Sequence, residues 1–116
     1  NQTTPWSAVS INSYHTCARK IDSNTGAIDE GSLWCWGKSD YGQTGSGQYN
    51  INFTPSQNIP NQVLTGTYWK NFATGNDSTC AIKAVDNTLW CWGKNFIGQL
   101  GINNAWSTSQ IPVILP

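Results

Sequence analysis

Four cysteines, one histidine and six carboxylates are the residues of this 116-residue chain whose types could do chemistry. Cys17, Cys35, Cys80 and Cys91 form no Cys-x-x-Cys knuckle of the kind that structural zinc sites use. They leave three states to weigh: two disulfides, buried free thiols, or a metal site. His15, the single histidine, makes no recognisable nucleophile pair with a neighbouring Ser or Cys and reads as a structural member of its strand. Asp22, Asp29, Glu30, Asp40, Asp77 and Asp86 show no paired-carboxylate spacing and read as solvated turn residues. Gly42-Gln43-Thr44-Gly45 and Gly98-Gln99-Leu100-Gly101 have the glycine content of phosphate-cradling loops, but neither leads into a helix start or the Lys such loops use. The expectation is therefore no catalytic residue, no metal and no cofactor, with the cysteines serving as staples.

The elements that position the cysteines occur twice. Leu33-Trp34-Cys35-Trp36-Gly37-Lys38 returns unchanged as Leu89-Trp90-Cys91-Trp92-Gly93-Lys94, displaced by 56 residues. Thr16-Cys17-Ala18 returns as Thr79-Cys80-Ala81, displaced by 63, and Trp6 precedes Cys17 as Trp69 precedes Cys80. Copy one thus carries a seven-residue insertion between its cysteines, near Ser23-Asn24-Thr25-Gly26, which reads as a longer hairpin loop. The boundary between copies falls at 65/66, giving repeat units 1–65 and 66–116 that together make one structural unit.

Val, Ile, Thr and Trp enrichment, broken by Gly, Asn and Asp, predicts four short strands per copy. In copy one they run near Trp6–Ile11, Tyr14–Ile21, Ser32–Gly37 and Asn58–Leu64; in copy two near Trp69–Thr74, Thr79–Ala84, Thr88–Gly93 and Gln110–Leu115. Pro55, Pro60, Pro112 and Pro116 cluster near the last strand of each copy, which suits an outer edge where a missing ladder donor costs little.

The motif Trp-x-x-Val/Phe, His/Ser-Thr-Cys-Ala, Leu-Trp-Cys-Trp-Gly-Lys, Gly-Gln-x-Gly covers nearly the whole chain twice and resembles the repeat of the regulator of chromosome condensation family. The resemblance implies an all-β fold of two four-stranded antiparallel propeller-type blades. It also implies a ring of about seven blades in the complete family fold, and a cysteine on each middle strand as in secreted bacterial members. One departure is Asn12 where copy two has Gly75; Asn tolerates a left-handed backbone best after Gly, so the turn is expected to survive.

Pairing the middle strands of copy two as a hairpin that turns at Val85-Asp86 sets Cys80 opposite Cys91, and the same register opposes Cys17 to Cys35. Two disulfides are the favoured reading, each worth roughly 3 kcal/mol by loop entropy. They imply an oxidising compartment, hence an extracellular, secreted or cell-surface protein. Trp6, Trp34, Trp36, Trp69, Trp90 and Trp92 occupy equivalent positions and read as packing between blades. Trp106 has no counterpart, and with Tyr41, Tyr49 and Phe96 it forms the expected contact patch for a ligand or partner. Asn1, Asn52 and Asn76 head glycosylation sequons.

Six basic residues balance six acidic ones, so no electrostatic footprint for nucleic acid is present, and no apolar run is long enough to span a membrane as a helix. Seven tryptophans argue against disorder. Two blades cannot close a ring, and their Trp-rich flanks need cover. The expected function is a non-enzymatic extracellular scaffold that self-assembles through blade-to-blade contacts into a ring or surface fibre, a homo-oligomer or polymer. The alternative is a secreted binding module, such as a lectin, adhesin or protein inhibitor, that uses loop aromatics to hold a glycan or another protein.

Overall fold

The structure is a computed structural model that describes residues 5–12, 14–46, 57–102 and 109–116. Among the described residues there are eight strands: β1 (Trp6–Ile11), β2 (His15–Lys20), β3 (Leu33–Gly37), β4 (Gln57–Gln62), β5 (Trp69–Thr74), β6 (Ser78–Lys83), β7 (Leu89–Gly93) and β8 (Ser109–Ile114). They form two four-stranded antiparallel sheets of order β1-β2-β3-β4 and β5-β6-β7-β8, so the chain is all-β and built of two blades. The fourth strand of each blade is an edge. Pro60 and Pro112 sit there within register shifts, where the pairing passes from Cys35↔Asn61 to Gly37↔Gln57 and from Cys91↔Val113 to Gly93↔Ser109. A bulged edge strand absorbs a residue that has no N–H to give.

In the central hairpin of each blade the cysteines stand directly opposite one another, Cys17↔Cys35 and Cys80↔Cys91. Both pairs are disulfides with Cα atoms 4.1 Å apart, the close approach of a non-hydrogen-bonded cross-strand pair. The loops above them differ. Lys20 N–H donates to Ser32 C=O at 2.9 Å and Lys83 N–H to Thr88 C=O at 2.9 Å, which leaves eleven residues (21–31) in one loop and four (84–87) in the other. The difference is the seven-residue insertion. In the short loop Asn87 takes a left-handed backbone (φ 60°) to close the turn.

The insertion is more than a longer hairpin loop. Gly31 exchanges two backbone hydrogen bonds with Trp69 of blade 2, at 3.0 and 2.8 Å, and Asn24 Nδ2 donates to the Tyr68 hydroxyl at 2.9 Å. Arg19 pins the loop from below, donating from Nη2 to Ile28 C=O at 2.9 Å. Asp22, expected as a solvated turn residue, is buried, because its Oδ1 caps Asn24 N–H at 2.9 Å while its carbonyl accepts from Gly26 N–H at 2.7 Å. The Asn12 turn survives, though not through a left-handed backbone. Neither Asn12 nor Gly75 has a positive φ, and each closes its turn by donating its N–H, to His15 C=O at 3.0 Å and to Ser78 C=O at 2.8 Å.

The core lies between the blades. Cys17, Leu33, Cys35 and Val63 of blade 1 face Trp69, Ala81 and Trp92 of blade 2, with Leu64, Phe72 and Trp90 packed around them. Strand alternation explains this: β2 turns His15, Cys17 and Arg19 toward blade 2, and Thr16 and Ala18 the other way. Each fully buried indole removes roughly 200 Å² of mostly apolar surface from water, worth up to about 5 kcal/mol by area.

Candidate functional site

The seam between the blades is the most elaborated feature of the molecule, and it is built from a turn on one side and a socket on the other. The turn is Gly42-Gln43-Thr44-Gly45. Gly42 N–H donates to Ser39 C=O at 3.1 Å, Gly45 N–H to Gly42 C=O at 2.9 Å, and Tyr41 N–H to Gln43 Oε1 at 2.9 Å. This leaves the Gln43 carbonyl pointing into blade 2, where it accepts from Thr79 Oγ1 at 2.8 Å and Trp92 Nε1 at 3.0 Å. Gly45 (φ 69°) lies flat on the Trp92 ring; a Cβ there would come within 2.7 Å of Nε1. The socket is Trp69, Thr79 and Trp92, with the two indoles 6.0 Å apart at 53° and both wholly buried.

His15 completes the buried polar line. Thr79 spends its hydroxyl proton on Gln43 C=O, so at 2.9 Å it accepts from His15 Nε2–H, which leaves Nδ1 as the unprotonated nitrogen. His15 Nδ1 is buried and has no hydrogen-bond partner among the described residues. Burial holds the His15 pKa below its ordinary value, opposed by the Asp77 carboxylate and the Ser78 carbonyl. Farther along the seam, Arg19 donates to the carbonyls of Lys70 and Ile28, and Ser10 Oγ bonds Thr74 Oγ1 at 2.9 Å.

The sequence that builds this seam matches a known repeat. The family model for the regulator of chromosome condensation (RCC1) repeat matches residues 30–82, from just before β3 into β6. Among curated relatives, a Caenorhabditis elegans X-linked retinitis pigmentosa GTPase regulator homolog is 41% identical over 75 residues, 63% of this chain and 5% of that protein. The Arabidopsis thaliana ultraviolet-B receptor UVR8 is 35% identical over 72 residues, 62% of this chain and 16% of the receptor. Residues 30–82 of the chain carry an RCC1 repeat. RCC1-type propellers share its fold. The structure of Prp20p from Saccharomyces cerevisiae, studied for binding to Gsp1p and histones, superposes on the whole chain with a TM-score of 0.78 at 14% identity. Human WBSCR16 does so with a TM-score of 0.76 at 24% identity. The chain covers 26% of each of those two proteins, and from 5 to 16% of the curated relatives it matches.

In the two blades the six equivalent tryptophans are not equally placed. Trp69 and Trp92 fill the seam. Trp6 and Trp36, their counterparts, face outward from blade 1 at 6.0 Å and 56°, with Trp6 45% exposed. Trp34 and Trp90 are half-buried, each anchored two residues back by its Nε1, to Ser32 Oγ at 2.9 Å and Thr88 Oγ1 at 2.7 Å. Lys20 lies over Trp34 and Lys83 over Trp90, at 4.4 and 3.8 Å from the ring centroids.

Of the four aromatics expected to form a contact patch, Tyr41 and Phe96 meet edge to face across the seam at 5.5 Å, with Lys94 near both rings. Asp77 stands between Lys38 and Lys94 at 3.9 Å from each. This half-exposed rim, contributed by both blades, was not legible as a pair because the two rings belong to different repeats. Tyr49 and Trp106 lie outside the described residues, as do Asn1 and Asn52. Asn76 is exposed at the turn before β6. Among the described residues no group of three His, Cys, Asp or Glu side chains could hold a metal ion, and no helix is long and apolar enough to cross a membrane.

Proposed function

We propose that this chain is a non-enzymatic extracellular scaffold that self-assembles through blade-to-blade contacts. The observation that carries the reading is the outward-facing Trp6–Trp36 pair, which repeats the spacing and tilt of the buried Trp69–Trp92 pair yet has no blade over it among the described residues. Val9 and Ile11 extend the same flank and are 68 and 74% exposed. An apolar sheet face of this kind is what one blade offers another. The two disulfides support an oxidising compartment.

Size exclusion with mass detection on the oxidised chain tests this, followed by negative-stain microscopy. Concentration-dependent masses well above 12.7 kDa, as rings or fibres, are expected. A monodisperse monomer across the accessible concentration range overturns the reading. A second reading, a binding module, draws on the Tyr41–Phe96 rim, which projects an aromatic pair and a cation from the seam. The yeast propeller was studied for its binding to Gsp1p and histones, so a fold of this type serves protein binding there. Glycan-array and pull-down screens that lose their hit in Phe96→Ala would favour it.

A further inference from the structure

From the geometry of the seam we infer that the exposed Trp6–Thr16–Trp36 face of blade 1 receives the Gly98–Gly101 turn of a second copy of this chain, set head to tail. This rests on the self-assembly reading and supplies its register. The internal seam is the template, since it shows what covers such a face: a Gly-Gln-x-Gly turn whose glutamine carbonyl takes one hydroxyl and one indole proton.

Both halves of that seam recur unused. On blade 1, Thr16 and Trp36 stand where Thr79 and Trp92 stand on blade 2, and Trp6 where Trp69 stands. Thr16 Oγ1 and Trp36 Nε1 make no hydrogen bond among the described residues, whereas their counterparts share the Gln43 carbonyl. On blade 2, the turn at Gly98–Gly101 is already in its docking shape. Gly98 and Gly101 have φ of 77° and 71°, against 81° and 69° for Gly42 and Gly45. Gln99 Oε1 accepts from Ile97 N–H at 3.1 Å, and Gly101 N–H donates to Gly98 C=O at 3.1 Å, as in the first turn. Gln43 is fully buried by its socket, while Gln99 and Gly101 are exposed. The turn on blade 2 and the socket on blade 1 lie on opposite flanks, so each copy offers one half at each end. That is a heterologous contact, which propagates. The net charge of zero sets up no long-range repulsion between copies.

The contact between copies is weaker than the internal seam, for reasons also visible in the residues. Ser78 and Ile82 replace His15 and Arg19, and Ala73 replaces Ser10, so the Arg19 clamp and the Ser10–Thr74 bond have no equivalent. Assembly is therefore reversible while the blade pair itself stays intact.

The test uses the oxidised full chain in sedimentation velocity over a concentration series. Thr16→Val removes the hydroxyl donor at nearly constant volume, and Trp36→Phe removes the indole donor together with part of the ring that packs on Trp6. Wild type is expected to self-associate, and the double variant to do so at least about tenfold more weakly, because the Gln99 carbonyl is buried without a donor. Its near-ultraviolet circular dichroism should match wild type. Should the double variant lose its fold, Thr16→Val against Thr16→Ser, which keeps the hydroxyl, carries the same comparison. Gly101→Val supplies the opposite defect, and mixing it with the socket variant should yield dimers and nothing larger. If wild type associates and the socket variants associate equally well, this register is wrong and the assembly reading stands. If wild type stays monomeric, both fall.

Discussion

Thr79 and Thr16 are the same residue at the same position of two repeats, and replacing each by valine separates the contribution of the seam from that of the blade. In the seam, Thr79 Oγ1 accepts from His15 Nε2 at 2.9 Å and donates to Gln43 C=O at 2.8 Å, and the residue is 1% exposed. Valine keeps the volume, so no cavity opens. Gln43 C=O keeps the Trp92 indole donor, but the His15 Nε2–H is left buried with nothing to donate to. An orphaned buried donor costs about 1–3 kcal/mol, so Thr79→Val should cost about 2 kcal/mol. With a urea m-value of about 1.5 kcal/mol/M for a small domain, that moves the unfolding midpoint down by about 1.3 M. Thr16 lies half-exposed on the open flank, and Thr16→Val should change the midpoint by less than about 0.3 M. The assay is tryptophan fluorescence in urea on the oxidised chain, dilute enough that copies do not meet. Equal losses from the two substitutions would refute the account of the seam.

Gly45→Ala should destabilise by about 2 kcal/mol, since φ is 69° and the new Cβ would approach Trp92 Nε1 to 2.7 Å; thermal melting checks it, and an unchanged Tm contradicts the packing described. His15 has a lowered pKa in the folded chain, so the unfolded chain takes up its proton first: the contribution is intact above about pH 6.5 and lost as pH falls below it. Urea midpoints measured from pH 8 to pH 5 should fall over that range and should fall less in His15→Gln. Under a dithiol reductant, Cys80–Cys91 should open before Cys17–Cys35, because Cys17 and Cys35 are wholly buried in the seam whereas Cys80 is half-exposed on the outer flank of blade 2. Timed alkylation and mass spectrometry read the order, and simultaneous opening would count against that placement. Arg19→Met removes the donors to Ile28 C=O and Lys70 C=O and should loosen the 21–31 loop by about 1–2 kcal/mol, seen as faster amide exchange at Gly31 and Trp69.

The strands, the blade order and the cysteine pairing were legible because each rests on local pattern. Alternation and turn residues mark strands, and a hairpin register places Cys80 against Cys91 without reference to anything distant. What the sequence could not rank is which flank each blade covers. Trp6 and Trp69 look alike in their repeats, yet one is 45% exposed and the other fully buried, since burial depends on a neighbour and not on the residue. Asp22 and the insertion loop were misjudged because polar loop residues read as solvated until their partners are known: Asp22 finds Asn24 and Gly26 within its own loop, while Asn24 and Gly31 meet Tyr68 and Trp69 of blade 2. The turn at Asn12 kept its hydrogen bond without the left-handed backbone its Gly75 counterpart suggested.

The family repeat, residues 30–82, begins ahead of β3 in one blade and ends within β6 of the next. It therefore contains the Gly42–Gly45 turn, the strands that carry it, and Trp69 and Thr79 on the receiving side. The unit of the family repeat is thus offset from the unit that folds, and it straddles a joint. Duplicating such a unit adds a blade together with most of the fittings for attaching it, so the number of blades can change without any surface having to be invented anew.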